Sequence, residues 1–433
     1  MLFHSTRNPQ HRVNLSAAIA QGMAPDGGLY VPESLPKFTP QDFAGLNELA
    51  DIATKLIEPF AAGDALATVL GEVCRDAFNF AAPLVTLTGT PGPASVLELF
   101  HGPTAAFKDF GARFLAASME RIRAGKTRKL SILVATSGDT GGAVAAAFHR
   151  RPWVDVAVLY PKGLVSQRQA QQLACWGDNV RTFSVHGTFD ECQRMVKEAF
   201  MDASLAQSHE LSSANSINIG RLLPQMVYYV RSALEVWRRT GKSANFIIPS
   251  GNLGNSMACI WARAMGLPIG DVILATNANR TIVDFLDSGE WQPRPSVATL
   301  ASAMDVGNPS NMERLRTLYP FDEIRRQVRA VSVSDEQIRA RIQHDAQALR
   351  QIWCPHTATA AEVYWHLGGQ QQTAHWVLVA TAHPAKFNDI VEPLIGHTIP
   401  IPPALARLLT LPRQETEIEP QLAVLRAQLQ GVR

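Results

Sequence analysis

"SILVATSGDTGGAVAAAFHR", residues 131–150, decides how this chain folds. An apolar, partly β-branched run ends at Thr136. The turn Ser137-Gly138-Asp139-Thr140-Gly141-Gly142 follows, and then an alanine-rich helical pattern takes over. That is a strand leading through a glycine turn into a helix, one half of a βαβ unit. The pairing recurs along the chain. "VDVAVLYP" (154–161) precedes "VSQRQAQQLACWG", "VRTFSV" (180–185) precedes "DECQRMVKEAFMD", and "ANFIIPS" (244–250) leads into "GNSMACIWARAMG". "DVILATNA" (271–278) precedes "TIVDFLDSG", and "WVLVATA" (376–382) precedes "AKFNDIVEPLIG". Strands alternating with helices predict an α/β fold with parallel sheets covered on both faces, and more than one such sheet.

Around this frame the chain divides into four stretches. Residues 1–95 read as a helical and mixed N-terminal segment ending in the Pro/Gly-rich "TGTPGPAS". Residues 96–212 form a smaller α/β domain and residues 213–400 a larger one. Residues 401–433 read as a tail containing a terminal amphipathic helix. The stretch 290–330, with "WQPRPS" and "VGNPSN", reads as a loop-rich insertion.

Composition narrows the class. A length of 433 residues is enough for two or three domains with large cores. The net charge of +2, without a basic stripe interleaved with aromatics, gives no footprint for nucleic acid. Five scattered cysteines without a CxxC pair argue against a disulfide framework and against a metal cluster, and fit a reducing compartment. The N-terminus lacks the layout of a signal peptide, and no apolar run approaches a membrane span. A cytoplasmic protein without membrane contact is expected.

Three stretches carry the chemistry. In "HGPTAAFKDFGARFLA" (101–116) a helix opens with Thr104 as the candidate N-cap. Lys108 shares a face with Gly111, Ala112 and Leu115, while Asp109 and Arg113 are spaced to pair on another. An ordinary lysine there snorkels its ammonium to water. The sharper reading is a desolvated amine of lowered proton affinity, suited to a Schiff base. In "IIPSGNLGNSMACIWARAMG" (247–266) a strand again ends in a glycine-rich turn, Ser250 to Asn255, before a helix. Backbone N–H groups at such a helix start cradle anions, yet the turn is neither a Walker A loop nor a GxGxxG fingerprint. In "VATAHPAKF" (379–387) a strand ends on Thr381, with its hydroxyl at the crevice where open α/β sheets bind ligands. His383 reads as a turn histidine and Lys386 as a solvated one at a helix start. A phosphate cradle, a lysine on an apolar face and a hydroxyl at a strand end are what pyridoxal phosphate needs.

The sequence also resembles a known family. "FHSTR" (3–7), "GMAPDGGLYVP" (22–32), "LELFHGPTAAFKDFGARFLA" (97–116), "ATSGDTGGA" (135–143), "GTFDECQRMVK" (187–197), "SANSINIGRLLPQ" (213–225), "PSGNLGN" (249–255) and "TAHPAKF" (381–387) are similar to threonine synthase, in order across nearly the whole chain. The class resembled is the longer one, with an N-terminal Ser-Thr-Arg element. The resemblance implies the second fold type of pyridoxal-phosphate enzymes (tryptophan synthase β-like), with two parallel-sheet domains and an added N-terminal segment. It implies that Lys108 is the catalytic lysine that forms the Schiff base with the cofactor. It places Gly251, Asn252, Leu253, Gly254 and Asn255 around the cofactor phosphate, Thr381 at the pyridine nitrogen and Asp139 beside the cofactor.

The implied reaction turns O-phospho-L-homoserine and water into L-threonine and phosphate. A phospho-lyase of the same fold, giving a 2-keto acid, ammonia and phosphate, is the alternative. Candidates for the substrate clamp are Ser216, Asn218 and Arg221 in "SINIGR", ahead of Lys162, Lys386 and Ser5-Thr6-Arg7. Two departures from the family pattern stand out: Leu253 where phenylalanine is common, and Cys354 where aspartate is frequent. No metal is expected, and the sequence leaves monomer and homodimer undecided.

Overall fold

The computed structural model describes residues 1–431. Its two large sheets arise from the strands read above, because each is buried on both faces. Leu130–Ala135, Ala244–Pro249 and His375–Ala380 are buried at every position, which is the pattern of parallel strands under two helical layers.

The first sheet has six strands in the order Val328–Ser332, Ile269–Thr276, Ala244–Pro249, His375–Ala380, Ala94–Glu98 and Leu84–Leu87. All neighbours are parallel except the last pair. The second has five parallel strands in the order Thr416–Ile418, Val180–Val185, Val154–Pro161, Leu130–Ala135 and Glu210–Ser212.

Sheet membership cuts across the linear division. The strand Ala94–Glu98, which delivers the chain to Lys108, belongs to the larger sheet, and the tail strand Thr416–Ile418 extends the smaller one. Strand pairing across hundreds of residues sets this, and no local pattern contains it. The tail is accordingly two helices, Pro403–Leu409 and Leu422–Gln430, flanking a strand. The loop-rich reading of 290–330 holds only for its first part. Met312–Leu318 and Phe321–Gln327 are helices, and the stretch runs on into the strand Val328–Ser332. The N-terminal segment adds a small antiparallel sheet, Arg12–Val13, Phe3–Ser5 and Tyr30–Pro32. Those strands are too short to carry a periodic signal.

The helix after Ala94–Glu98 starts at Lys108 and runs to Ile122, three residues later than a cap at Thr104 would place it. Thr104 is fully buried and does not cap in the ordinary sense. Instead Asp109 reaches back from the first turn and accepts from the Thr104 N–H (2.8 Å) and hydroxyl (2.7 Å). Arg113 therefore finds another partner, the Asp76 carbonyl at 2.6 Å. Residues 105–107 are used differently: Ala106 bridges Ala382, Phe107 N–H donates to the Thr381 carbonyl (2.8 Å), and His383 N–H to the Ala105 carbonyl (3.0 Å). This bridge fixes Lys108 next to the end of the strand His375–Ala380. Ala105 takes a left-handed φ of 54° to make it.

Candidate active site

A cavity of about 830 Å3 opens where the carboxyl ends of the two sheets face each other, the crevice in which open α/β sheets hold ligands. Lys108, Thr381, the turn 136–140 and the turn 249–256 all line it. Four stretches distant in sequence thus meet in one site.

Lys108 opens into this cavity, not to outer solvent, with its ammonium 5.7 Å from the centre of the Phe107 ring. Burial pushes the amine down to about 8. The carboxylate of Asp139 opposes that shift, while the charges of Arg221 and Lys386 add to it. An amine of this proton affinity is neutral in roughly one molecule in ten at pH 7, a far larger nucleophilic and basic fraction than a solvated lysine offers.

The turn before the helix Gly254–Ala264 is tightly specified. A Cβ on Gly251 would lie 2.7 Å from the backbone Cα of Met304. Leu253 takes a left-handed φ of 62° and sits buried as the helix N-cap. Asn252 is held from two sides, accepting from Ser310 N–H (2.5 Å) and donating to the Ser216 hydroxyl (2.7 Å). Asn255 accepts from the Tyr228 hydroxyl (2.5 Å) and the Tyr229 hydroxyl (2.8 Å), yet its Nδ2 is buried without a partner. A helix start leaves the N–H groups of Gly254, Asn255 and Ser256 without intrahelical acceptors. Orphaned donors converging on a pocket whose wall admits no Cβ at Gly251 are the chemistry of a bound phosphate.

On the opposite wall Thr136 knits the other turn, its hydroxyl accepting from Gly138 N–H (3.0 Å) and Gly141 N–H (2.9 Å). Asp139 follows, buried, and pairs with Lys386 at 2.8 Å. Burial by itself raises a carboxyl's proton affinity, but Lys386 and then Lys108 outweigh it and hold Asp139 well below the usual carboxylate range. His356, also buried in the wall, accepts from Ala303 N–H through Nε2 (3.0 Å), and burial pushes it down to about 4. Cys354, the departure at a place where aspartate is frequent in the family pattern, caps the helix Pro355–Trp365 by accepting from Thr357 N–H at 3.4 Å. The small thiolate-free cap does the local work of an aspartate without adding a second anion near Asp139.

Among the clamp candidates, Ser216 and Arg221 line the cavity. Arg221 is buried, donates to the Ala214 carbonyl, and its Nε has no partner. Asn218 does not reach the cavity. It is fully buried, caps the short helix Ile219–Leu222 through Gly220 N–H (2.9 Å), and donates to the Ile19 carbonyl (2.9 Å). Lys162 pairs with Glu417 (2.7 Å) at the surface. Arg7 pairs with Glu313 (2.9 Å), and Ser5 with Asp26 (2.8 Å). Lys386 is buried, contrary to a solvated helix-start lysine, whereas His383 is the turn histidine expected, accepting from Ala385 N–H (3.1 Å). The sequence reading missed wall residues from three places: Met23 and Pro25 of the N-terminal segment, Gln193 and Lys197 on the helix Phe189–Met201, and Asp305 on the loop after residue 300. Burial raises the Asp305 carboxyl to about 7. The helical period of 189–201 was readable, but nothing local showed which face meets a cavity.

Fold, lysine, cradle and strand-end hydroxyl together define a pyridoxal-phosphate-dependent enzyme, and a family model so described matches residues 83–382. Two further models, for the threonine synthase N terminus and C-terminal region, match residues 2–78 and 357–428. The threonine synthase of Serratia marcescens is 38% identical over the full length of both chains, and that of Haemophilus influenzae 36% over 99% of each. The crystal structure of threonine synthase from Escherichia coli superposes with a TM-score of 0.90 over all of both chains at 34% identity. A pyridoxal-phosphate-bound threonine synthase from Brucella melitensis gives 0.91 over 99% of this chain and 98% of that one at 33%. The chain belongs to the threonine synthase family.

Among the described residues, no helix is long and apolar enough to cross a membrane.

Proposed function

We propose that this chain converts O-phospho-L-homoserine and water into L-threonine and phosphate, with Lys108 as its catalytic lysine. The observation that carries the reading is that the Lys108 amine opens into the same cavity as the cradle of Gly251 to Asn255. The residues present fit the cofactor. The orphaned Asn255 amide and the free helix-start N–H groups would hold its phosphate, Thr381 its ring nitrogen, and Lys108 its aldehyde. When bound, pyridoxal phosphate acts as the electron sink that stabilises negative charge developing on substrate carbon.

The chain's own residues supply the rest. Thr381 offers a neutral hydroxyl, which cannot hold the ring protonated as a carboxylate would, and this favours elimination and replacement over deeper electron withdrawal. Lys108, poised near 8, takes a proton from Cα as a base and returns protons as an acid, one flexible amine serving neighbouring carbons. Arg221 and Ser216 hold the substrate phosphate, the former as a buried cation and the latter as a hydroxyl fixed by Asn252. We also assign the protein to the cytoplasm, supported by five buried free cysteines.

The test is an absorbance spectrum of purified protein with cofactor, at roughly 400–430 nm where a protonated Schiff base absorbs, for wild type and Lys108→Ala. O-phospho-L-homoserine is then added and products are assayed. A wild-type band absent from the variant, with threonine and phosphate formed together, is expected. Phosphate with keto acid and ammonia but no threonine assigns elimination alone, and no band in wild type removes Lys108 from the role.

A further inference from the structure

Lys386 and Asp139 come from opposite sides of the cleft. Asp139 opens the helix after Leu130–Ala135 in the five-stranded sheet, and Lys386 lies in the turn after His375–Ala380 in the six-stranded sheet. The Lys386 ammonium sits 2.8 Å from Asp139 Oδ1 and donates to the Thr104 carbonyl, also at 2.8 Å. Gln169 Nε2 donates to the same Asp139 oxygen at 2.9 Å. The two side chains are 1% and 4% exposed. The backbone around Lys386 is also tied across the cleft, because the Ser166 hydroxyl donates to the Lys386 carbonyl (2.7 Å) and Arg168 to the Ala385 carbonyl (2.5 Å).

A lysine buried this deeply costs stability unless its charge is used. The groups whose charges act on Lys108 are Asp139, Arg221 and Lys386. Those acting on Asp139 are Lys386 and Lys108, joined by His356 only when it is protonated, with Asp139 in turn acting on the thiol of Cys354. The buried carboxyl of Asp109 is engaged by Thr104. Among the described residues, Asp139 is the carboxylate whose charge acts on the Lys108 amine, and Lys386 is the cation paired with it, with Gln169 holding the same oxygen.

We propose that Lys386 is a positioning residue of this site: its ammonium locks Asp139 across the two sheets and so sets the balance of charge that the Lys108 nitrogen feels. The inference rests on the reading of Lys108 as the cofactor lysine. It assigns Lys386 a role other than clamping substrate. The carboxylate favours a proton on the Lys108 nitrogen, Lys386 and Arg221 disfavour it, and the fixed pair keeps the two influences in a constant ratio.

The experiment is a pH titration of the visible cofactor band of the holoenzyme for wild type, Lys386→Met, Lys386→Arg and Asp139→Asn. Removing the cation raises the midpoint for the Lys108 nitrogen, and removing the anion lowers it, each by about one unit. Lys386→Arg keeps the charge and holds the midpoint near wild type. A purely structural role predicts no such opposition of sign. Midpoints that move the same way in both single variants, or that do not move, overturn the proposal. If Lys386→Met fails to fold, Asp139→Asn alone decides, through a downward shift or its absence. A wild-type protein without any band overturns the cofactor reading first and is distinguished by that.

Discussion

Replacing Gly251 with alanine tests the cradle at its tightest point. The new Cβ would stand 2.7 Å from Met304 Cα and 3.2 Å from both the carbonyl carbon and oxygen of the same residue. Every one of these atoms is backbone, so no side chain can swing aside. Either the turn or the segment around Met304 has to move by several tenths of an ångström, and both line the cavity. Overpacking of this kind costs about 1–3 kcal/mol. If the displacement falls on the cofactor cradle, that corresponds to a loss in cofactor affinity of about 5- to 150-fold, at 1.4 kcal/mol per tenfold. Gly254 is the internal control. A Cβ there meets Ser216 Cβ at 3.3 Å, a tight contact that has to give by a few tenths of an ångström, and the Asn311 amide at an ordinary 3.5 Å, both side-chain atoms and neither as close as Met304 Cα. Alanine at this helix position also favours the helix by about 0.5–1 kcal/mol over glycine. Equilibrium titration of apoenzyme with pyridoxal phosphate, read by absorbance, compares the two. Gly251→Ala should bind weakly and Gly254→Ala close to wild type. Equal affinities for the two variants would refute the argument that backbone approach at Met304 shapes the cradle.

Three other outcomes follow from the same geometry. Asn218→Ala should lower stability by about 2 kcal/mol, since it removes a helix cap and a buried donor, while cofactor affinity stays within about 0.5 kcal/mol of wild type. Urea unfolding and the cofactor titration check the two halves. Arg314→Met should cost about 3 kcal/mol or more. This fully buried guanidinium donates to the carbonyls of Tyr30 (3.1 Å) and Ile217 (2.6 Å), so its loss removes one of the ties between the N-terminal segment and the "SINIGR" loop and leaves both carbonyls without this donor. A melting temperature unchanged from wild type would contradict that. Burial pushes both His356 and His383 down to about 4, below an ordinary value near 6.5. Protons then bind the unfolded chain in preference, so stability is full above pH 6.5 and falls as pH drops toward 4, by at most about 3 kcal/mol for each histidine. Unfolding free energies at pH 7 and pH 4.5 should show the decline, and His356→Gln should reduce it.

What could be read from the chain was local in origin. The strands Val154–Pro161 and Val180–Val185 coincide with their β-branched and aromatic-rich runs, each buried at all but one position. Both glycine turns were visible for a similar reason, since close backbone approach excludes side chains and leaves glycine behind. Lys108 stood out as a charge on an apolar face. The sequence alone thereby determined the α/β class, the two turns and the lysine. Only the tertiary structure decided that Ala94–Glu98 and Thr416–Ile418 join the sheets they do, since pairing across long separations depends on which edges meet. It alone turned Asn218 inward to a cap and buried Lys386 against Asp139, although "SINIGR" and "HPAKF" present both as available polar groups. The physical reason is that a polar side chain's role follows from its desolvation and its partners, and both are fixed by elements far away in the sequence.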